Sequence, residues 1–263
     1  MPGIYRHNGC DLEMNHILPE DRKFWNFFPE VREEAKLALD GQGEPIRWHR
    51  FFHHLNSSQV FAFNLFYPIL QSRFGSNCLA KITGLESISS QVSGFELIPD
   101  PEEGTNIDVA LGSSPANRIF IEVKLSEGDF GRARDDDEHR KKFEETYRPR
   151  MTGKVQIKGM DEWTEFRRNY QFYRNVIFAD EKTRIWFLIP GAHRSLIQRA
   201  ERCMRHLAES IQDRVEIVQA EQFFGKLENA VREDLELSSY FKRFREKYAP
   251  SLTPVATSAS QGR

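Results

Sequence analysis

The chain has 263 residues, of which 39% are hydrophobic and 29% charged, and a formal net charge of −2 at pH 7. This length can bury a core without cross-links, and the near-balanced charge excludes a uniformly basic surface, so any site for a polyanion must be a local patch. Cys10, Cys78 and Cys203 are widely spaced and form no CxxC pair, which argues against a disulfide framework or a structural zinc site.

No segment near the start joins a basic region to an apolar one, and no apolar run approaches the length that spans a bilayer. We therefore expect no membrane partner and a location in the reducing cytoplasm. The motifs GxxxxGK[ST], GxGxxG, HExxH and GxSxG do not occur. Nucleotide hydrolysis and serine or zinc hydrolase chemistry consequently have no support from motifs.

Three segments are expected along the chain. Residues 1–48 lack clean periodicity, apart from a predicted helix from Pro29 to Leu39, and are interpreted as a cap on the main domain. Residues 49–248 combine strand and helix patterns and are interpreted as a single domain. The tail 249–263 has small residues and prolines but too few apolar side chains to pack, so it is predicted to be disordered.

The main domain opens with an apolar helical stripe from His49 to Ser72, which Pro68 is expected to kink or end near Tyr67. A charged segment after Glu127 is predicted to be mobile or exposed, with some helix between residues 136 and 147. Strands are predicted at 79–83, 92–98, 106–111, 118–125, 184–189 and 214–218, and further helices at 161–179, 193–210 and 220–247. This order predicts a mixed sheet flanked by helices.

The strand 118–125 has a strict alternation. Its aliphatic residues form one face, and Glu122 and Lys124 lie together on the other. In the preceding strand, Asp108 likewise lies on the face opposite to the aliphatic residues. A hairpin could bring Asp108 beside Glu122, but the sequence does not fix the register.

Two carboxylates at one edge of a sheet make an oxygen-rich site suited to Mg²⁺, for which Mn²⁺ can substitute. In phosphodiester hydrolysis such a metal activates a water and neutralises charge on the phosphate, and a neighbouring lysine orients or deprotonates the nucleophile. Lys124 lies within reach of Glu122. The alternative is a solvated salt bridge between these two residues, because an acidic residue two positions before a lysine also occurs elsewhere, outside strands.

The motifs NIDVAL, with Asp108, and IFIEVKL, with Glu122-Val123-Lys124, follow one helix and precede a helix and a strand. Over roughly residues 50–190 this pattern resembles the PD-(D/E)xK nuclease superfamily of restriction-endonuclease-like enzymes. The resemblance implies an α/β (α+β mixed) fold with an αβββαβ core and N- and C-terminal helical additions. It also implies that Asp108 and Glu122 bind the metal with help from the Val123 carbonyl, and that Lys124 assists the nucleophile.

The sequence departs from this pattern in two places. Ile107 replaces the proline that precedes the metal-binding aspartate, and the stretch 47–73 has no acidic residue where many members carry a helix glutamate. Gln59 or Asn64 could occupy that space. Glu96 on the preceding strand is a candidate third carboxylate, although an exposed strand position is the favoured interpretation.

The motif NYQFYRN resembles the glutamine-bearing helix that follows the active strand in several of these nucleases. Gln171 and Arg174 lie three apart, share a helix face and could contact DNA phosphate or a base edge. An ordinary exposed helix face is the favoured alternative. Residues 132–174 also carry a local excess of basic residues, which makes them a candidate nucleic-acid arm or a solvated charged segment.

The expected function is therefore that of a metal-dependent endonuclease, an Mg²⁺-dependent hydrolase of DNA phosphodiester bonds. A homodimer that presents two active sites would be the simplest way to cut both strands. One alternative is a nuclease-like fold that has lost catalysis and serves as a nucleic-acid-binding or assembly module. Another is a nuclease that acts on RNA or branched structures, which the sequence does not separate from the first.

Overall fold

The computed structural model of the protein describes residues 3–7, 10–42 and 46–252. Its strands are β1 (Gly3–His7), β2 (Cys10–Met14), β3 (Gly94–Leu97), β4 (Ile107–Ser114), β5 (Asn117–Val123), β6 (Thr183–Ile189) and β7 (Val215–Gln219). Its helices are α1 (Pro29–Leu39), α2 (Ser58–Gln71), α3 (Arg73–Thr83), α4 (Asp137–Lys142), α5 (Arg148–Met151), α6 (Glu162–Arg168), α7 (Tyr170–Val176), α8 (Arg194–Met204), α9 (Glu209–Gln212), α10 (Ala220–Ala230) and α11 (Leu235–Leu252). A 3₁₀-helix covers Glu20–Asn26, and a π-helical turn covers Phe143–Tyr147.

A five-stranded sheet of order β3-β4-β5-β6-β7 organises the chain, and β1 pairs with β2 in a separate hairpin. The pairs β3–β4 and β4–β5 are antiparallel, whereas the pairs β5–β6 and β6–β7 are parallel. Parallel pairs need crossover connections, and helices supply these connections here. The predicted mixed sheet flanked by helices is confirmed.

Helices cover both faces of the sheet, so its strands separate two hydrophobic clusters. On β5, Ile119, Ile121 and Val123 belong to the first cluster, which also contains the buried faces of α2, α10 and α11. Phe120 of the same strand belongs to the second cluster, together with residues of α6, α7 and α8. The polar face of β5 is therefore not a solvent face, because helix α7 packs over it. This packing buries Glu122.

Within the segment interpreted as a cap, the described residues 27–38 contribute buried side chains to the first cluster. Helix α1 has the predicted bounds, and Val31 and Ala35 on its inner face are fully buried. Trp48 packs edge-on against Phe27, and its indole nitrogen donates a 2.9 Å hydrogen bond to the carbonyl of Ala35. The cap thereby fixes the chain just before the main domain begins.

Helix α2 ends at Gln71, next to the predicted Ser72, but its start differs from the prediction. It begins at Ser58 rather than near residue 49, since the Ser57 hydroxyl accepts a hydrogen bond from the Val60 amide as an N-cap. Pro68 neither ends the helix nor leaves a carbonyl unpaired. Proline lacks the N–H that would bond to the carbonyl of Asn64, and the Tyr240 hydroxyl donates a 2.7 Å hydrogen bond to that carbonyl instead.

The strand predicted at 79–83 is wrong, because these residues form the last turns of α3. The Ser72 hydroxyl accepts from the Gly75 amide at the start of this helix, and Gly84 ends it with φ 68°. Only glycine adopts this left-handed conformation without strain. A short apolar run does not distinguish a strand from a buried helix segment by periodicity alone, which accounts for the error.

The charged segment after Glu127 contains the predicted helix, as α4, and most of its charged side chains are exposed as predicted, but the segment is also anchored in the core. Phe143, Tyr147 and Met151 are fully buried in the second cluster. They lie four residues apart, so they line one helical face of a segment that is otherwise charged. Few apolar residues suffice here because each one is large.

The three long helices predicted after residue 160 are each divided into two, while both predicted strands in this region are present as β6 and β7. The break between α6 and α7 falls at Asn169, where the backbone leaves the helical conformation. Helix α11 reaches Leu252, so the first part of the predicted tail is helical; residues 253–263 lie outside the described residues. Within the described ranges no helix has the length and apolar character of a membrane span.

Lys247 on α11 predicts a pH-dependent stability. Burial, with a smaller effect of the Arg32 charge, lowers the pKa of Lys247 to about 7, whereas lysine in an unfolded chain titrates near ~10.4. Between these values the unfolded chain binds more protons, so the free energy of unfolding should rise with pH, by about 1 kcal/mol per unit from this residue. Denaturant unfolding at pH 7, 8 and 9 measures the slope.

The matched variants separate this residue from the other titrating groups. Lys247→Met should remove its part of the slope, whereas Lys242→Met, at an exposed position of the same helix, should leave the slope unchanged. A wild-type stability that is flat or falls over this interval would contradict the expectation.

Candidate active site

The strand register places three carboxylates in a row across β3, β4 and β5. Val109 pairs with Ile121 and Ala110 with Phe120, so the next position sets Asp108 opposite Glu122. Phe95 likewise pairs with Val109 and Leu97 with Ile107, which sets Glu96 opposite Asp108. Residues directly opposite each other in antiparallel strands have neighbouring side chains. The hairpin thus has the register that the nuclease hypothesis requires.

Asp108 occupies the middle of this row. The amide of Val123 donates a 2.7 Å hydrogen bond to its Oδ2, which ties the carboxylate to the end of β5. Burial raises the pKa of Asp108 well above its ordinary value, and the negative charges of Glu122 and Glu96 raise it further. The site therefore concentrates negative charge that a cation would relieve.

Glu122 and Lys124 form a buried ion pair at the end of the same row. Lys124 Nζ donates to Glu122 Oε1 at 2.7 Å, and the two residues are only 4% and 5% exposed. Burial by itself lowers the pKa of Lys124, but the charges of Glu122, Glu127 and Asp108 outweigh burial and the net pKa lies above its usual value. Lys124 is thus a fixed ammonium, not the solvated partner of a surface salt bridge.

Helix α7 holds both members of this pair. The side-chain carbonyl of Gln171 accepts a 2.7 Å hydrogen bond from Lys124 Nζ, and the side-chain amide of Asn175 donates a 3.0 Å hydrogen bond to Glu122 Oε2. Gln171 and Asn175 are four residues apart, so they share one helix face. One turn of helix therefore orients both the lysine and the carboxylate.

The segment after β5 anchors the start of α7. The backbone amide of Gln171 donates a 2.8 Å hydrogen bond to the backbone carbonyl of Phe130. Gly131 has φ 65°, and a Cβ atom there would come within 3.3 Å of the Gln171 side-chain oxygen. A larger residue would strain the backbone and displace the oxygen that binds Lys124.

Glu96 is half-buried and turned into the site, not exposed as favoured from the sequence. Its φ is 53°, the one positive φ among the described non-glycine residues. The side-chain amide of Asn106 donates a hydrogen bond to the Glu96 carboxylate, and the Gln59 side chain forms a second hydrogen bond with it. Burial raises the pKa of Glu96, and the charge of Glu122 adds to the rise. The bend in β3 thus aims a third carboxylate at the row.

The other predicted auxiliary residues have distinct places. Gln59 reaches Glu96, whereas Asn64 is completely buried and donates to the Tyr248 hydroxyl at 3.0 Å. Arg174 pairs at 3.1 Å with Glu103, which is 0% exposed, and also donates to the Thr105 hydroxyl at 2.8 Å. The DNA contact of Gln171 and Arg174 stays a prediction, and both side chains have protein partners in this structure.

The carboxylate row opens into a cleft of about 890 Å³. One part of its lining consists of the ends of β4 and β5, including Asp108 and Glu122, with Gln171 beside them. Another part consists of residues 47–51 and the start of α2.

The donor set fits a divalent cation that uses few protein ligands. In the described part of the chain, no three His, Cys, Asp or Glu side chains are arranged to hold a metal on their own. Mg²⁺ typically binds through one or two carboxylates and keeps several waters. Asp108 and Glu122, with the Val123 carbonyl, offer such a set, because each carboxylate oxygen of Glu122 keeps a second lone pair beside its hydrogen bond.

Asn175 was not predicted from the sequence, although its spacing from Gln171 carries a signal. A polar residue four positions after a helical residue that faces the site shares its face. The pair Gln171 and Asn175 could have been found in this way, once the helix was placed over β5. The bond of Asn106 to Glu96 was not predicted either, because it depends on the bend of β3.

A mixed sheet that carries an aspartate, a glutamate and a lysine at the mouth of one cleft defines a restriction-endonuclease-like nuclease fold. The comparison with family models agrees with this class. The family described as Restriction Endonuclease associating with ARP matches residues 2–249, and the chain belongs to that family. Comparisons with curated proteins and with solved structures each gave no match.

Proposed function

We propose that this protein is an Mg²⁺-dependent endonuclease that hydrolyses phosphodiester bonds of DNA. The observation that carries the proposal is the register of β4 and β5, which sets Asp108 opposite Glu122 with Lys124 paired to the glutamate. Membership of a restriction endonuclease family supports the reaction class. Mn²⁺ is expected to substitute for Mg²⁺, since both accept carboxylate and water ligands.

Each side chain has a distinct task in this proposal. Asp108 and Glu122, with the Val123 carbonyl, would hold the cation, which when bound supplies an activated water and charge neutralisation at the phosphate. Lys124 places a fixed positive charge beside Glu122, where negative charge develops during hydrolysis. Gln171 and Asn175 keep this lysine and this glutamate in one orientation.

Plasmid nicking tests the proposal directly. Purified protein is expected to convert supercoiled DNA into nicked or linear DNA with Mg²⁺ or Mn²⁺, and to leave it intact in EDTA. Cleavage that persists in EDTA would contradict the metal requirement. Cleavage of RNA or of branched DNA, but not of plasmid, would support the alternative substrate instead.

The oligomeric state and the location are part of the same proposal. A homodimer in the cytoplasm would present two clefts to the two strands of a duplex. Linear product formed in one encounter is expected from a dimer, whereas a monomer accumulates nicked circles first. Light scattering of the free protein and of its complex with DNA, compared with the order of products, distinguishes these cases.

One specific observation favours the alternative of a binding module without catalysis. Both oxygens of Glu122 already accept hydrogen bonds, from Lys124 and from Asn175. If these bonds excluded a cation, titration calorimetry would show no Mn²⁺ binding while duplex binding persisted. Heat of Mn²⁺ binding that disappears in Asp108→Asn would instead support the nuclease.

A further inference from the structure

A positively charged segment also lines the cleft, and it has no task in the proposed hydrolysis. Arg47, His49 and Arg50 line it together with the carboxylates. No aspartate or glutamate occurs between residues 46 and 59, so this stretch of the lining is itself positively charged. A second group of cleft residues therefore favours an anion, while the carboxylate row favours a cation.

The backbone of this segment is fixed before any ligand arrives. The Gln59 side chain accepts a 2.8 Å hydrogen bond from the amide of His49 and donates a 3.0 Å bond to the carbonyl of Arg47. Between them, Trp48 is buried in the first hydrophobic cluster. Arg47 and Arg50 stay exposed on either side of this anchor. A charged side chain on an ordered backbone loses less entropy when it binds.

The guanidinium groups of these two arginines are not engaged by carboxylates. Neither forms an ion pair within the ranges that the structure describes, and Arg50 stacks on the Phe51 ring at 4.3 Å. Burial, reinforced by nearby histidines, lowers the pKa of His54 to about 4, so this neighbour is neutral near pH 7. His54 consequently adds no charge to that of the two arginines.

The basic segment 132–174 is a weaker candidate for the same task, because many of its arginines are already paired with carboxylates. The pairs are Arg140 and Arg167 with Asp135, Arg148 with Glu144 and Glu162, Arg150 with Asp100, and Arg174 with Glu103. An arginine in an ion pair must give up its partner before it binds phosphate. Arg47 and Arg50 need no such exchange.

We propose that residues 47–50 form a phosphate-binding wall that seats the DNA strand against the carboxylate row. The forked guanidinium matches the geometry of a phosphate with two parallel hydrogen bonds. The Gln59 side chain bonds both to this wall and to Glu96, so the wall is held at a fixed position relative to the carboxylate row. The inference rests on the proposed nuclease function, because it names how that site holds its substrate.

Fluorescence anisotropy with a labelled DNA duplex in EDTA tests the wall without cleavage. Arg47→Ala/Arg50→Ala is expected to raise the Kd about 10-fold or more, and to reduce the slope of log Kd against log salt concentration by about two. Arg47→Lys/Arg50→Lys should keep the slope, because the charge is retained, and lose part of the affinity. Arg202→Ala, which removes an exposed arginine of α8 outside the cleft, should behave as wild type.

A nicking assay on the same proteins separates this inference from the proposed function. The alanine double variant should nick plasmid with a KM raised by about the same factor as its Kd, whereas Arg202→Ala should keep the wild-type KM. If wild type binds the duplex and never nicks, the proposed function fails while the anisotropy comparison still decides the wall. If the double variant matches wild type in Kd and slope, or if wild type binds no duplex, the wall is refuted.

Discussion

Glu122→Gln is expected to reduce plasmid nicking on the order of 10³-fold or more. The glutamine has the shape of the glutamate but only one acceptor oxygen, whereas Glu122 accepts from Lys124 at one end and from Asn175 at the other. The new NH₂ group must therefore face a donor. The variant loses the proposed metal ligand and the anchor of Lys124 together.

Stability measurements distinguish this chemical loss from unfolding. Glu122→Gln leaves Lys124 as a buried ammonium without its carboxylate, which should cost about 3 kcal/mol of the free energy of unfolding. Glu122→Gln/Lys124→Met removes the unpaired charge and should recover much of that stability while it stays inactive. Glu216→Gln, at an exposed position on β7, is the matched control and should cut normally. Wild-type cleavage by Glu122→Gln would remove this glutamate from the catalytic site.

Asn175→Ala is expected to lower kcat about 10- to 100-fold, as for other residues that orient metal ligands. The buried amide holds Glu122 Oε2 at 3.0 Å, so its loss lets the carboxylate rotate and leaves one oxygen unsatisfied. The Kd for a duplex in EDTA should not change, since Asn175 does not line the cleft. We therefore assign it a positioning role.

Asn169→Ala provides the control for the buried amide itself. Asn169 is also buried and donates a 2.8 Å hydrogen bond to a glutamate, Glu165, but in the interior beside α8 rather than in the cleft. Both variants should lose about 1–3 kcal/mol of stability, and only Asn175→Ala should lose rate. Equal kcat values for the two variants, or a fall of the same size in both, would reduce Asn175 to a structural residue.

The two strands of the candidate site could be predicted because their pattern is strict. The alternation in β5 placed Glu122 and Lys124 on one face, and that of β4 placed Asp108, without any knowledge of packing. The register between them could not be predicted, since the alternation is equally satisfied by shifts of two residues. That register follows from the short hairpin and its bulge between Gly112 and Ser114.

Other parts of the site depend on tertiary contacts that no local pattern records. The left-handed backbone of Glu96 has no sequence signal, so an exposed strand position was favoured for it. Arg47 was expected in the cap segment 1–48 and Arg50 in the helix that starts near His49. Only the hydrogen bonds of Trp48 and Gln59 place both arginines at one wall of the cleft. Burial of Phe143 and Tyr147 could not be predicted either, because the residues around them in the sequence are mostly charged.

The left-handed backbone at Glu96 lowers the stability of the chain. A non-glycine residue at φ 53° costs about 1 kcal/mol or more, and a carboxylate opposite Asp108 adds repulsion between like charges. Glycine or asparagine would relieve both effects, so random substitution at this residue has an easy route to a more stable chain. The glutamate at this position therefore lowers the stability of the chain while it adds a third carboxylate opposite Asp108.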